Sequence, residues 1–233
     1  MNKRHRLSMI GILCSAALLV AGIGHAETTV LTFEGVGNGA HVNDFYNGGT
    51  DSEGNSGTNY GIGFSDTSLG LIDGDAGGSG NFANEPSPDT VLFFLSGGAA
   101  TMNVAAGFDT GFSFYYSANA TDTFVNVWSG LNGTGDLLTT LNLNANYNAN
   151  NCTGDPTGIY CNWDPIGVLF AGIAHSVDFG GTANYVAFDN ITLGSDIPGN
   201  GSTPVPEPGT LAMFGLGLLL VGGAAWKKRR RLS

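Results

Sequence analysis

The sequence predicts an all-β protein: one antiparallel β-sandwich of jelly-roll-like form, with an N-terminal signal helix and a single C-terminal transmembrane helix. Three observations carry this. Between Glu27 and about Asp196, short runs rich in β-branched and aromatic residues are punctuated by Gly, Asn and Asp at turn spacing. No stretch of that body carries a helical apolar stripe. Apolar segments flanked by basic residues lie at the two ends of the chain.

The first element is "MNKRHRLSMIGILCSAALLVAGIGHA", with a basic start, an apolar stretch from about Met9 to Ile23 and small residues at Gly24 and Ala26. That order predicts a secretory signal peptide over residues 1–26, cleaved after Ala26. Cys14 lies inside the apolar stretch behind Ile12 and Leu13, without the small residue that precedes a lipidated cysteine, so it is discarded with the signal.

The body, residues 27–196, then reads as "VLTFEG", "IGFSD", "TVLFFLSG", "ATMNVAAG", "GFSFYYSA", "TFVNVWSG", "LLTTLNLN", "IGVLFAG", "HSVDFGG" and "YVAFDNITLG". Short strands at this spacing, with turn signals between them, argue for one antiparallel sandwich or jelly roll. "EGVGNGAHVNDFYNGGTDSEGNSGTNYG" and "DGDAGGSGN" are too long for tight hairpins and are expected to be loops, functional or poorly ordered. Residues 197–204 form a linker rich in Gly, Ser and Pro.

The last element, residues 205–233, opens on Val205-Pro206-Glu207-Pro208, continues through the uncharged run Leu211–Trp226 and ends on Lys227, Lys228, Arg229, Arg230 and Arg231. With Gly209 and Thr210 the run reaches the roughly 17 to 25 residues needed to cross a bilayer core. A transmembrane helix is expected at about 210–226, with the cations on the cytoplasmic side. The prolines exclude a helix upstream, leaving an extended, accessible segment just outside the membrane. A plain membrane anchor fits this arrangement; so does a tail that is recognised and removed.

Charge is distributed unevenly. All 8 Lys and Arg lie at the ends, as Lys3, Arg4, Arg6 and the five terminal cations, whereas all 19 Asp and Glu fall between Glu27 and Glu207. Residues 27–226 are therefore a near-pure polyanion, with nothing to neutralise phosphates, which excludes nucleic acid and anionic membrane surfaces as ligands of the body. Buried carboxylates there must be met by backbone donors, hydroxyls or a metal ion.

The tail resembles the PEP-CTERM sorting signal of Gram-negative envelope proteins: proline-bracketed motif, apolar helix and Arg-rich end occur in order at the terminus. The resemblance implies recognition by an exosortase, transient anchoring in the inner membrane and delivery to the cell surface or an extracellular matrix. The opening "TFEG" and closing "FDNITLG" resemble the first and last strands of jelly-roll carbohydrate-binding modules and galactose-binding-like domains.

Strict alternation puts Asp189 on one face with Ala187 and Ile191, so its carboxylate is partly desolvated and needs hydrogen-bond donors or a cation. In the jelly-roll modules that the chain resembles, a structural calcium ion bridges the first and last strands. That resemblance implies Ca2+ ligands at Glu34 and Asp189, against the alternative of a solvated carboxylate at a strand end. In "DGDAGGSGN", Asp73, Asp75, Ser79 and Asn81 echo a calcium loop that lacks its twelfth-position acid, the place taken by Asn84.

Cys152 and Cys161 remain after export into an oxidising compartment, and a disulfide is favoured over free thiols. By chain entropy so short a loop contributes roughly 2 to 3 kcal/mol, enough to fix a loop but not the whole fold. Around it, Tyr147, Tyr160 and Trp163 are candidate platforms for a sugar ring, or else caps on the core.

Catalytic signatures are few. Only His41 and His175 remain in the exported part, no Lys is available for a Schiff base, and alternation puts His175 with Val177 and Phe179 as a packed strand residue. The leading expectation is a non-enzymatic exported surface or matrix protein whose body associates with extracellular polysaccharide. A secreted glycan hydrolase built on paired carboxylates and a purely structural or adhesion module are the alternatives.

Overall fold

A computed structural model of the protein describes residues 28–147, 152 and 158–199. The expected signal peptide and the sorting tail, including Val205, Pro206, Glu207, Pro208 and the apolar run, lie outside the described residues. No helix occurs among the residues described.

Eleven strands run in chain order: β1 (Thr29–Leu31), β2 (Ile62–Phe64), β3 (Leu69–Ile72), β4 (Thr90–Phe93), β5 (Ala99–Phe108), β6 (Gly111–Ala118), β7 (Thr123–Trp128), β8 (Leu137–Leu143), β9 (Asp164–Leu169), β10 (Ala174–Gly180) and β11 (Val186–Leu193). Each of the ten runs picked out in the sequence overlaps one of them. Only β3, "LGLI", was hidden, its alternation cut short by Gly70.

The strands form two antiparallel sheets. One has the order β3-β4-β11-β6-β9 with β1 also paired to β11; the other has the order β2-β5-β10-β7-β8. Their facing sides share a core in which Phe112, Phe114, Phe179 and Phe188 are fully buried. The rings meet edge-on or tilted, with Phe179 and Phe188 centroids 4.9 Å apart and Phe114 and Phe188 5.6 Å apart. Such pairs contribute about 0.5 to 1.5 kcal/mol each beyond the area they bury.

The two outer faces differ, and the sequence encodes the difference. Strand β7 alternates, burying Thr123, Val125 and Val127 and turning Phe124, Asn126 and Trp128 outward, as expected of a sheet with one wet face. Strands β4, β6 and β11 are buried nearly throughout, because the back of their sheet is covered as well. There Val91, Phe93 and Ala187 pack with Phe82 and Tyr160 in a second, smaller cluster, flanked by Ile159 and Trp163.

The Gly-rich segment from Gly35 to Gly61 is an ordered loop. Asp51, only 4 % exposed, accepts the N–H groups of Gly37, Glu53 and Asn55 and the Asn55 side-chain amide. Phe45 and Tyr46 drop from the loop into the core, and the Tyr46 hydroxyl accepts the N–H of Phe33. Gly57 lies against the Phe45 ring so closely that a Cβ would come within 2.3 Å of it, which explains a glycine there.

Candidate functional site

The open face is the outer side of the second sheet. Its polar residues fall in rows because antiparallel pairing sets Gly63 beside Asn103, Asn103 beside Ser176 and Ser176 beside Trp128. The next row sets Thr101 beside Asp178 and Asp178 beside Asn126.

The loop between β7 and β8 is fastened across this face. Ser176 Oγ donates to the Gly130 carbonyl (2.6 Å) and accepts the Gly133 N–H (2.9 Å). Asn103 exchanges two hydrogen bonds with Asn132, accepting its N–H at 2.7 Å and donating to its Oδ1 at 2.9 Å. Asn132 holds a left-handed backbone conformation (φ 56°), which asparagine tolerates better than most residues.

Between that loop and the Gly-rich loop opens a cleft of about 300 Å3, lined by Asp44, Asn47, Gly63, Asn103, Leu131 and Asn132 among others. Gly63 contributes no side chain to it. Asp44 Oδ1 accepts from the Asn47 amide at 3.1 Å. Among the described residues, Asp44 Oδ2, Asn47 Oδ1 and Asn132 Nδ2 make no hydrogen bond within the protein. A carboxylate oxygen, an amide oxygen and an amide N–H around one hollow suit a ligand with several hydroxyl or amine groups.

Beside the cleft, Asp178 Oδ1 accepts from Thr101 Oγ1 (2.7 Å) and Oδ2 from Trp128 Nε1 (3.0 Å). That pairing pins the indole in place. Phe124, 43 % exposed, stands at the other end of the same strand face.

Glu34 and Asp189, the residues expected to bind Ca2+, are brought near one another at the opposite sheet. Glu34 Oε1 accepts the N–H groups of Asp89 (3.1 Å) and Thr90 (2.9 Å). Asp189 is fully buried and accepts the Ser87 N–H (2.7 Å), the Ser87 hydroxyl (2.6 Å) and the Asn190 N–H (2.6 Å). A cation shared by the two carboxylates would compete with these donors.

The faces differ from the alternation expected. Asn190 has φ 48° and sits in a register shift between Asp189 and Thr192, which moves Ile191 into the inter-sheet core with Phe188, while Ala187 packs in the outer cluster. Asp189, opposite Tyr115, therefore shares a face with Ala187 but not with Ile191.

Burial pushes the Asp189 carboxyl up to about 7; hydrogen bonds from Ser87 and Asn190 oppose the rise, and nearby Glu34 adds to it. Ser87 Oγ also lies 3.1 Å from the Thr32 carbonyl, so its single proton is divided between that oxygen and Asp189 Oδ1, which weakens the support the hydroxyl gives a charged carboxylate.

Glu85 is pushed up to about 7, chiefly by burial and then by the charges of Asp73, Asp75 and Asp89. In the "DGDAGGSGN" loop, Ser79 bonds Asn38, and no group of three or more His, Cys, Asp or Glu that could hold a metal occurs among the described residues.

Cys152 and Cys161 are disulfide-bonded, with Cα atoms 5.1 Å apart. The three aromatic residues near them separate. Tyr160 is core, its ring 5.8 Å from Phe93 and its hydroxyl bonded to the Asn184 carbonyl, so it offers no platform. Trp163 is half-buried against Phe82 and bonds the Ala83 carbonyl through Nε1. Tyr147 alone of the three is exposed. His175 is half-buried with Nδ1 3.2 Å from the Val104 carbonyl, and His41 meets the Asp66 carbonyl.

The cleft residues carry no motif. The available signals were the Asn-Gly pairs at 47–48 and 132–133, which mark turns, and the unusual length of the first Gly-rich loop.

Residues 204–231 match the PEP-CTERM protein-sorting motif. The motif marks the chain as an exported protein sorted through a membrane-anchoring C-terminal tail, with an exosortase as processing partner and the cell surface as destination. No curated protein is significantly similar to the chain. Among solved structures, a glycoside hydrolase family 43 arabinoxylan arabinofuranohydrolase from Bacillus subtilis, in complex with cellotetraose, shows 19% identity and a TM-score of 0.32. The similarity covers 47% of this chain, which spans 22% of that one.

Proposed function

We propose that the protein is a non-catalytic, polysaccharide-associating module of the cell surface or extracellular matrix, exported through a cleaved signal peptide at residues 1–26 and delivered by its sorting tail. The body extends over residues 27–196 and the linker over 197–204. The observation that supports binding is the cleft on the open sheet, where Asp44, Asn47 and Asn132 hold hydrogen-bonding atoms without protein partners. The two histidines of the body, His41 and His175, rest on backbone carbonyls, which supports a non-catalytic reading.

The test is co-sedimentation of the full-length chain, in mild detergent, with a panel of insoluble glycans, alongside an assay for released reducing ends. Retention without turnover is expected. Asp44→Ala with Asn132→Ala should weaken retention about tenfold or more, the equivalent of roughly 1.4 kcal/mol. Unchanged retention by that variant, or release of reducing ends, would overturn the proposal.

Glu85 favours a second reading. A half-buried carboxyl pushed up to about 7 beside the acidic side chains of Asp73, Asp75 and Asp89 is the arrangement of a general acid in glycoside hydrolysis. If the protein is a hydrolase, Glu85→Gln should abolish the release of reducing ends while retention on glycan persists.

A further inference from the structure

Resting on the polysaccharide reading, we propose that the cleft on the open sheet selects glycans bearing free amino groups, with Asp44 as the residue that reads the ammonium. Three observations converge on it. Asp44 is exposed at the cleft, with Oδ1 held by Asn47 and Oδ2 without a hydrogen bond within the protein. No Lys or Arg occurs between residues 27 and 226, so no side-chain cation of the body other than a protonated histidine competes for that oxygen or attracts an anionic sugar. Asp178 lies diagonally across from Asn103 on the same sheet face, roughly 7 to 8 Å away along the pairing, and adds a second negative charge beside the cleft.

The neighbouring amides complete the recognition. Asn132 Nδ2 can donate to a ring hydroxyl, and Asn47 Oδ1 can accept from a hydroxyl or share the ammonium with Asp44. An ammonium has three donors and no acceptor, which matches a carboxylate oxygen and an amide oxygen carried by two side chains already hydrogen-bonded to one another. A uronic acid or sulfated sugar would meet the carboxylate as like charge, and the 18 acidic residues of the body would repel it on approach. An N-acetylated sugar keeps its hydroxyls but loses the charge, so it would bind through the amides alone.

The experiment measures binding of the full-length chain, in mild detergent at about pH 6, to a β-1,4-linked glucosamine oligomer and to its fully N-acetylated counterpart. Each is measured in low salt and in roughly 0.5 M salt, where screening falls to a few ångströms. The amino form should bind about tenfold tighter in low salt, with the preference shrinking as salt rises. Asp44→Asn should erase most of that preference. Asp109→Asn, an exposed turn carboxylate bonded to Thr110, should leave it as in the parent.

A preference that Asp44→Asn and Asp109→Asn reduce equally would mean that the overall charge, and not the cleft, selects the ligand, and would overturn the inference. Equal binding of both oligomers, unmoved by salt, would also overturn it while leaving a polysaccharide module in place. Binding of neither oligomer, together with no retention on any glycan of the panel, would remove the polysaccharide reading itself.

Discussion

Asp189 makes stability depend on pH in a direction unusual for a carboxylate. Its folded-state value of about 7 lies above the ordinary 3.8, so the native state holds the proton more tightly than the unfolded chain. The stabilisation is complete below pH 4, declines as the unfolded carboxyl ionises, and is lost once pH passes the folded value of about 7. The rise of about three pH units corresponds to about 4 kcal/mol in total, of which about 2.5 kcal/mol falls between pH 5 and pH 8. For a domain of this size that is a fall in melting temperature of roughly 5 to 10 °C.

Asp189→Asn replaces the protonated acid with a neutral near-isostere that still offers Ser87 one donor and one acceptor. Because Glu85 titrates in the same sense, the quantity to measure is the difference between parent and variant in urea or thermal unfolding at pH 5 and pH 8. The variant should lose about 2.5 kcal/mol less than the parent over that interval, as an order of magnitude. An unchanged pH slope would refute the reasoning. The calcium ion expected at Glu34 and Asp189 enters the same experiment. If Glu34 and Asp189 share one, calcium at 100 times its Kd adds about 2.7 kcal/mol to the parent at pH 8 and little to Asp189→Asn. A melt indifferent to calcium and to EDTA would remove the ion.

Asp51 behaves oppositely. Burial is the largest influence and raises its carboxyl, but the combined hydrogen bonds from Asn55, Gly37 and Glu53 outweigh it and hold the group below 3.8. Its contribution is therefore present above the ordinary carboxylate range and lost as pH falls through the depressed value. Asp51→Ala should cost about 3 kcal/mol in thermal or urea unfolding, because three backbone N–H groups lose their acceptor at once, and a cost below about 1 kcal/mol would show that the loop does not depend on it. Trypsin should leave one large fragment of the urea-unfolded chain, since no Lys or Arg lies between residues 27 and 226; internal tryptic peptides would contradict the charge map. Intact mass of the surface form should place the N-terminus at Glu27 and the C-terminus near Pro206 to Pro208, with Cys152 and Cys161 two protons lighter than thiols. A surface species that keeps Lys227 to Arg231 would leave a plain anchor instead.

The sequence by itself determined what depends on local order along the chain. Period-two runs between Gly and Asn turns named ten of the eleven strands among the described residues, because alternation is written residue by residue. The sorting motif was legible for the same reason, being a contiguous string read by an enzyme rather than a surface assembled by folding. Even the doubly covered sheet left a trace in "TVLFF" and "GFSFYY", where no charged residue falls on either face.

Tertiary structure decided everything that joins distant segments. The single left-handed residue Asn190 reset the faces of β11 and sent Ile191 to the core, a shift that no alternation count contains. Ser87, 102 residues away in sequence, supplies two of the hydrogen bonds around Asp189 where the residue type alone left donors and a cation as equals. Tyr160, beside a disulfide, looked like a platform until Phe93 and Asn184 closed over it. The cleft is the clearest case. Asp44, Asn103 and Asn132 are ordinary loop and strand residues until strand pairing and the bonds of Ser176 and Asn103 draw three segments together. Hydrogen bonding between remote backbones, which has no period in the sequence, therefore fixed the place where a ligand can sit.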